Sequence, residues 1–261
     1  MPVYFPPSLE FTPKRLVFST WMDHLPFGYD IVVAQRPRIT VELGSYNGLS
    51  FFAFCQAMQE HRIDGLAYAV DCWAGDFQTG EYDESVFQSV KQHAREHYRG
   101  FAYLLKMYFE QALGQFEDES IDLLHIDGLH TYDAVRGDFD AWYPKVAPGG
   151  VVLLHDVVAR LEEFGVYRFW NELAARSDLQ TFRFDHGFGL GVLRKPGGPE
   201  RTSPLLDILF SGSEEDQRNL RRFYVYASQL FEARRKLGGT TRNQKILLGG
   251  SGKPGGRPVQ D

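Results

Sequence analysis

The sequence predicts an α/β fold built on a mainly parallel sheet. Between about residues 31 and 195, short runs rich in Val, Ile and Leu alternate with longer stretches whose apolar residues recur at helical spacing. Unbroken apolar runs of this kind are typical of parallel strands buried on both faces by helices. The 261 residues, 43% of them hydrophobic, favour one large domain over two.

Predicted strands and helices alternate along this region. The strands are ITVELG, AYAVD, FAYLLKM, IDLLHID and VVLLHDV, and the helices include LSFFAFCQAMQEH and SVFQSVKQHAREHY. After the fourth strand a further helix is indicated by apolar residues at helical spacing, namely Val135, Phe139, Trp142 and Val146. The sequence PGG is expected to end that helix before the fifth strand. Near 180–194, two short strands around a Gly-rich turn indicate a closing hairpin.

Both ends of the chain lack this alternation. Residues 1–20 are Pro-rich and without a clear period, which indicates an irregular N-terminal arm, and we place the domain itself at 21–200. Residues 213–237 predict a charged helix that either packs on its own domain or holds a partner. The Gly/Pro-rich stretch 238–261 is typical of a flexible linker or tail.

Charge and cysteine content exclude several classes of protein. The chain has 28 basic and 34 acidic residues, a formal net charge of -6, which argues against nucleic acid or an anionic membrane as partner. Cys55 and Cys72 are too few for a disulfide framework. No secretion-signal pattern and no membrane-length apolar run is present, so we expect a soluble, cytoplasmic protein.

The sharpest local feature is VELGSYNGLS at 41–50, where a strand, a turn and a helix follow one another. Gly44 and Gly48 let the backbone approach a ligand, and the helix start offers unpaired N–H groups. The next strand ends in Asp71, where α/β nucleotide folds bind ribose hydroxyls. The spacing G-x-x-x-G lacks the middle glycine of the dinucleotide fingerprint, so S-adenosylmethionine suits this site better than NAD.

We therefore expect a cofactor site formed by the turn, by Asp71 and by the two residues after it, which are placed to line an adenine pocket. The expected residues are Glu42, Gly44, Ser45, Tyr46, Asn47, Gly48, Asp71, Cys72 and Trp73. The alternative is a tight turn without a ligand.

Polar residues follow the fourth and fifth strands, in HIDGLHTYD and LLHDV. Because the ligand crevice of an open α/β sheet lies beyond the carboxyl ends of its strands, Asp127, His155 and Asp156 are expected to converge there. Two carboxylates and one imidazole can bind Mg²⁺ or Mn²⁺. His130 lies at the mouth of the same crevice and is a candidate general base, whereas His125 is deeper and is predicted to be a core histidine.

Each of these residues also has a simpler interpretation. Asp127 could do no more than form the turn after its strand, and Asp156 could cap the next segment. His155 could be a hydrogen-bonded neighbour of the site, and His130 could orient Asp127 or contact the cofactor. A sugar could stack against aromatic side chains, of which we expect a minority to take part. The candidates are Trp21, Phe27, Phe164, Tyr167, Trp170 and Phe188.

Four segments in combination resemble class I S-adenosylmethionine-dependent methyltransferases over about residues 20–195. They are VELGSYNGLSFFAFCQA, AVDCWAGD, SIDLLHIDGLHTYDAVRGDFDAWYPKVAPGGVVLLHDV and FGVYRFWNEL. The most similar branch is a small-domain group found beside or fused to glycosyltransferases. Macrocin-type sugar O-methyltransferases, cephalosporin hydroxylase-like proteins and catechol O-methyltransferase are more distantly similar. The resemblance implies a Rossmann-like, doubly wound sheet of seven strands with the last antiparallel.

The resemblance also implies roles for the polar residues. It places cofactor contacts in the turn and at Asp71, and metal ligands at Asp127, His155 and Asp156, although a carboxylate or amide is more usual at the second of these. The resemblance, combined with the catalytic roles expected for His130 and Asp127, predicts metal-assisted methyl transfer to a hydroxyl of a sugar or glycan. The resemblance is also compatible with a glycosyltransferase domain or partner, and with a homo-oligomer.

Two other functions compete with this one. The chain could be a catalytically idle methyltransferase-like scaffold within a larger glycan-assembly protein, or, with less support, an NAD-dependent oxidoreductase.

Overall fold

A seven-stranded sheet forms the centre of the computed structural model, which describes residues 5–78, 80–198 and 203–248, the side chains of 238–248 excepted. Its strands are β1 (Ile39–Leu43), β2 (Leu66–Asp71), β3 (Ala102–Lys106), β4 (Ile121–Ile126), β5 (Val146–His155), β6 (Gln180–Phe184) and β7 (Leu190–Arg194). Their order in space is β3-β2-β1-β4-β5-β7-β6, with β7 antiparallel to both of its neighbours. The predicted α/β fold with an antiparallel last strand is confirmed.

Eight helices in the described part of the chain surround the sheet. They are α1 (Leu25–Gln35), α2 (Leu49–Glu60), α3 (Glu84–His97), α4 (Phe109–Ala112), α5 (Tyr132–Trp142), α6 (Val166–Ala174), α7 (Pro204–Ser211) and α8 (Glu214–Leu248). Side chains of α1, α2, α3, α7 and α8 form one core on one face of the sheet, and side chains of α4, α5 and α6 form a second core on the other.

The central strand β4 shows why the apolar runs are unbroken. All six of its residues are buried, and successive side chains alternate between the two cores, Leu123 in the first and Leu124 in the second. A strand covered on both faces needs apolar residues at consecutive positions. The two buried polar exceptions are Asp122 and His125. Asp122 accepts the backbone N–H groups of Arg38 at 2.8 Å and Ile39 at 3.2 Å, which joins the start of β1 to β4.

The prediction that PGG ends a helix before the fifth strand is wrong. Helix α5 already ends at Trp142, and β5 begins at Val146, so that PGG lies inside the strand. Opposite it the register jumps, because Ile121 pairs with Val146 and Leu123 with Val151. Gly149 has φ of +77°, which only a residue without a side chain adopts readily. The motif therefore forms a bulge.

The two ends differ in how far they match the prediction. The arm holds a short 3-10 helix at Pro7–Leu9 and is otherwise irregular up to Thr20, and residues 1–4 lie outside the described part. Helix α8 continues to Leu248, past the expected end at residue 237. Gly238 and Gly239, which the helix includes, each cost about 1 kcal/mol of helix propensity relative to Ala. The rest of the predicted tail, 249–261, is outside the described residues.

No helix in the described ranges is both long enough and apolar enough to cross a bilayer.

Asp30 on α1 joins both ends of the chain to the domain. Its carboxylate accepts the N–H of Ser8 at 2.8 Å, the hydroxyl of Ser8 at 2.6 Å and the hydroxyl of Tyr224 on α8 at 2.9 Å. Asp30 is fully buried. Burial raises the pKa of Asp30 to about 6, although the hydrogen bonds from Ser8 and Tyr224 act in the opposite direction.

We expect Asp30→Asn to remove a pH-dependent part of the unfolding free energy. Because the pKa of Asp30 in the folded protein is about 6, above its ordinary value near 4, the folded state binds the proton more tightly. The wild type therefore loses stability as pH rises from about 4 to about 6. Two pKa units correspond to about 3 kcal/mol. The neutral amide can keep the three contacts. The free energy of unfolding of the variant should therefore rise, relative to that of the wild type, by up to about 3 kcal/mol over this pH range.

Urea unfolding at several pH values between about 4 and 7 measures the effect. Asp64→Asn, at an exposed position between α2 and β2, is the matched control and should keep the wild-type slope. A wild-type slope in Asp30→Asn would contradict the prediction.

Candidate functional site

A cavity of about 840 Å³ lies at the carboxyl ends of β1, β2 and β4. Its wall is formed by the turn after β1, the segment after β2, the loop after β4, and parts of α4 and α5. Residues 18–20 of the N-terminal arm close one side. This is the crevice in which open α/β sheets bind their ligands.

The turn after β1 packs against the loop after β4. Gly44 has φ of +83°, and a Cβ atom there would lie 2.1 Å from the carbonyl oxygen of Asp127. Gly48 has φ of +76°, and its Cβ would lie 2.7 Å from the ring of Phe52. Both glycines are therefore required by the chain's own close packing, before any ligand is considered.

Asp71, at the end of β2, holds this turn in place. Its Oδ2 accepts the N–H groups of Ser45 and Tyr46, each at 2.9 Å, and its Oδ1 accepts the N–H of Trp73 at 2.6 Å. A carboxylate has about four acceptor sites. Three N–H bonds therefore leave one for a ligand in the cavity that Asp71 lines.

Most of the expected cofactor residues line the cavity, namely Gly44, Ser45, Tyr46, Asn47, Asp71 and Cys72. Gly48, Glu42 and Trp73 do not. The Trp73 side chain is 2% exposed, and its indole N–H donates to the carbonyl of Tyr46 at 2.9 Å. It therefore packs against the turn and does not line the cavity.

Glu42 forms a buried pair with His125 and does not line the cavity. The two residues are register partners on β1 and β4, and Glu42 Oε2 lies 2.8 Å from His125 Nδ1. Both side chains are fully buried. The structure places His125 in the core, as expected, but paired with the acid that was predicted to face the cofactor.

The ends of β4 and β5 bring four polar side chains together. His130 Nε2 lies 3.0 Å from Asp156 Oδ2 and 3.6 Å from Asp127 Oδ1. His155 Nδ1 lies 3.0 Å from Asp156 Oδ2 and 3.4 Å from Asp127 Oδ1. The ligand atoms of Asp127, His130 and Asp156 all lie within 4.8 Å of one another. The sequence prediction that these residues converge agrees with this geometry.

Backbone and amide carbonyls fix which nitrogen of each imidazole faces the carboxylates. His155 Nε2 lies 3.1 Å from the carbonyl of Gly187, and His130 Nδ1 lies 3.0 Å from Gln78 Oε1. Because these oxygens only accept, both nitrogens must donate. His155 Nδ1 and His130 Nε2 are therefore directed at the two acids.

The four groups shift one another's pKa values. Burial opposes a charge on either histidine, but Asp127 and Asp156 outweigh it and raise the pKa of His130 to about 9 and that of His155 to about 10. Burial alone would raise the pKa of both carboxyls, but the histidines outweigh it and hold the pKa of Asp127 and Asp156 below their usual range. The cluster can hold a cation or a proton.

The described cavity wall contains many acidic side chains and no Lys or Arg. Six carboxylates line it, those of Asp71, Asp76, Glu110, Asp127, Asp133 and Asp138. No Lys or Arg is among the described residues of the wall. Burial, with a smaller contribution from Glu110, raises the pKa of Asp138 to about 7. Such a wall attracts a cationic ligand and repels phosphates.

Sequence reasoning missed several residues of the wall. Three hydroxyls, those of Ser19, Thr20 and Ser50, line the cavity. Its aromatic residues are Phe18, Tyr46, Tyr82, Tyr108, Phe109 and Trp142. Only Ser50 carried a signal, since it lies in the first turn of the helix after the Gly turn. The arm has no period from which its contribution could be inferred.

Most of the expected stacking aromatics have other roles. Trp21, Phe27 and Trp170 are at most 2% exposed and belong to the cores. Phe164 stacks on His130 with ring centroids 4.6 Å apart. Burying the apolar surface of large aromatics stabilises a core strongly, which is why most of them lie inside.

Comparison with known proteins agrees with this geometry. Residues 41–157 match the family model described as a methyltransferase domain. The uncharacterised protein y4gI of Sinorhizobium fredii is 44% identical over 172 residues, which are 66% of this chain and 19% of that protein. The chain thus spans about a fifth of the length of the curated relative that it matches.

Three solved structures share the fold. The O-methyltransferase TomG of Streptomyces achromogenes, in complex with SAM, is 18% identical, with 71% of this chain and 83% of TomG covered and a TM-score of 0.52. A putative caffeoyl-CoA O-methyltransferase of Staphylococcus aureus is 16% identical, with 69% and 85% covered and a TM-score of 0.53. SAH-bound PaMTH1 of Podospora anserina is 15% identical, with 67% and 78% covered and a TM-score of 0.52. The chain shares its fold with these methyltransferases, and residues 41–157 are the part that matches the methyltransferase-domain model.

We expect Asp71→Asn to destabilise the protein. An amide has one acceptor oxygen, so at least one of the N–H groups now bound to Asp71 would face an NH₂ group. A buried donor left without its partner costs about 1–3 kcal/mol. Thermal or urea unfolding measures the loss. Asp133→Asn, an exposed position on the same cavity wall, should change the free energy by well under about 1 kcal/mol. Equal stability of the two variants would contradict the assigned role.

Proposed function

We propose that this methyltransferase domain transfers a methyl group from S-adenosylmethionine to a hydroxyl oxygen of a sugar or glycan. The observation that carries the proposal is the cavity beyond β1, β2 and β4, which combines a tight Gly turn and a strand-end carboxylate with a wall whose described residues include no Lys or Arg. Each part of the cofactor has a matching part of this wall.

The cofactor carries a net positive charge, because its sulfonium and ammonium groups outnumber its one carboxylate. The acidic wall favours such a molecule. The remaining acceptor site of Asp71 suits a ribose hydroxyl. Ser50, at the start of α2, offers its hydroxyl and the nearby helix N-terminus to the methionine carboxylate, with Ser19 and Thr20 close by on the arm. When bound, the cofactor supplies the activated methyl group.

NAD is disfavoured on electrostatic grounds as well as by the glycine spacing. Its pyrophosphate carries two negative charges, and the part of the wall that the structure describes has no Lys or Arg to receive them. Placing it among carboxylates would cost free energy that the N–H groups of the turn alone would have to offset.

His130 is the residue that we assign as general base. It is half-buried at the edge of the cavity, and its Nε2 faces Asp156 at 3.0 Å and Asp127 at 3.6 Å. An acceptor hydroxyl at this position can pass its proton to Nε2. The two carboxylates then stabilise the imidazolium, and because they raise the pKa of His130 to about 9, only the unprotonated fraction of His130 acts as the base at neutral pH.

We assign a divalent metal, Mg²⁺ or Mn²⁺, to Asp127, Asp156 and His155. The residues fit such an ion, since His155 Nδ1 is buried without a hydrogen-bond partner and lies within 3.4 Å of both carboxylates. A separate cavity of about 10 Å³ touches Asp127, His130 and His155. When bound, the ion supplies a Lewis acid that lowers the pKa of the acceptor hydroxyl. This assignment leaves His130 free to accept a proton.

An uncharged, hydroxylated acceptor matches the rest of the wall. Phosphorylated acceptors meet the same repulsion as NAD. Phe18 and Tyr108 line the cavity with 84% and 60% of their surfaces exposed, and Tyr46 and Tyr82 lie together there with ring centroids 4.6 Å apart. Exposed rings at a cavity mouth offer flat apolar faces to the C–H face of a sugar.

The scaffold function has less support. Leu220, Tyr224 and Ala227 of α8 are buried in the core, so this part of the helix packs on its own domain. A glycosyltransferase domain or partner, and a homo-oligomer, remain proposals. The greater length of the curated relative is compatible with a fused domain.

Calorimetric titration tests the cofactor. We expect S-adenosylmethionine and S-adenosylhomocysteine to bind in the micromolar range and NAD to show no heat under the same conditions. In the transfer assay, labelled methyl should reach neutral glycosides and not the corresponding sugar phosphates. Binding of NAD alone would replace the proposal by the oxidoreductase function. Absence of any binding would favour the scaffold.

Removal of one carboxylate tests the metal. Asp127→Asn should weaken Mn²⁺ binding, followed by electron paramagnetic resonance, by at least about tenfold, which corresponds to about 1.4 kcal/mol. A chelator should lower transfer by the wild type. Asp133→Asn, on the same wall, should keep the wild-type affinity. Equal Mn²⁺ affinity in Asp127→Asn would exclude this metal site.

A further inference from the structure

We propose that Gln78 is a positioning residue, whose side-chain oxygen holds the His130 imidazole with Nε2 facing Asp127 and Asp156. The proposal rests on the proposed role of His130 in methyl transfer, and it adds the residue that prepares His130 for that role.

Gln78 reaches His130 from a separate part of the chain. It lies in the turn of a short ribbon that pairs Gly75–Asp76 with Gly80–Glu81, after β2. Its Oε1 accepts the backbone N–H of His130 at 3.0 Å and the Nδ1–H of the same residue at 3.0 Å. One amide oxygen thus binds both the main chain and the side chain of one residue.

These two bonds determine the chemistry of the ring. A neutral imidazole has one N–H group, and the hydrogen bond to Oε1 requires that group at Nδ1. Nε2 is then left with the lone pair that a base needs. Without Gln78, the nearby oxygen of Asp156, 3.0 Å from Nε2, would favour the proton on Nε2 and remove that lone pair.

The orientation of the amide is itself fixed by the contacts. A reversed amide would direct its NH₂ group at the backbone N–H of His130, which has no lone pair to offer. The backbone of Gln78 is also restrained, because the Gln78 N–H donates to Asp76 Oδ1 at 2.7 Å. Asp76 therefore helps to place the residue whose Oε1 bonds His130.

Phe164 limits the remaining freedom of the ring. Its side chain stacks on His130 with centroids 4.6 Å apart and an angle of 12° between the planes. Stacking prevents rotation out of the plane, whereas the hydrogen bond to Gln78 selects which edge faces the acids. A ring held in both ways loses little conformational freedom when it accepts a proton.

A merely structural role for Gln78 makes a different prediction. If Gln78 only tied the ribbon to the backbone of His130, its loss would loosen the loop and leave the preferred tautomer unchanged. The position of the proton on the imidazole therefore separates the two roles.

The test is long-range proton–nitrogen NMR of protein labelled with ¹⁵N-histidine, at a pH at which His130 is neutral and without cofactor, acceptor or metal. His130→Gln identifies the signal. We expect the wild type and Gln78→Glu, which keeps an acceptor oxygen, to carry the proton on Nδ1. Gln78→Met, similar in size but without an acceptor, should carry it mainly on Nε2.

Gln88→Met, an exposed glutamine on α3 that bonds only Glu84 among the described contacts, is the matched control and should resemble the wild type. Gln78→Ala serves as a second variant if methionine disturbs the turn. An Nδ1 proton retained in both variants, or lost in Gln78→Glu, would overturn the proposal. Because no cofactor is present, this result stands apart from the calorimetric test of the proposed function.

Discussion

The contact between Gly44 and Asp127 sets the geometry on which the site depends. The N–H of Asp127 donates to the carbonyl of Leu43 at 2.9 Å, and the Asp127 carbonyl occupies the space where a side chain at residue 44 would lie. This packing joins the end of β1 to the end of β4. It thereby places the Gly turn after β1 beside Asp127, the first acid of the polar cluster. A single added methyl group would force these two loops apart.

Buried polar groups beneath the cavity are stabilised by pairing, and the pairs determine what each residue can do. Glu42 is held by His125, and Asp71 accepts three N–H groups, two from the turn after β1 and one from Trp73. Charges and donors removed from water are costly unless they are matched in this way. Residues that resemble ligands in the sequence therefore divide into those that face the cavity and those that support it.

The electrostatics of the wall links this architecture to the proposed chemistry. Carboxylates from β2, from the loop after β4 and from α5 surround one volume, and no Lys or Arg is among the described wall positions. The field favours a cationic cofactor, a divalent ion and an uncharged acceptor together. Two imidazoles complete the cluster, each oriented by a carbonyl on its far side. The arm supplies the exposed aromatic Phe18 at the mouth.

The sequence by itself determined the sheet, the Gly turn and the convergence of Asp127, His130, His155 and Asp156, because these follow from local periodicity and from the rule that parallel strands end at one edge. It could not determine that Glu42 pairs with His125, that Trp73 supports the turn, or that Gln78 reaches His130. It also missed the bulge at PGG and the contribution of Phe18. Each of these depends on which side chains meet across elements distant in the chain, and that is decided by strand register and packing in three dimensions.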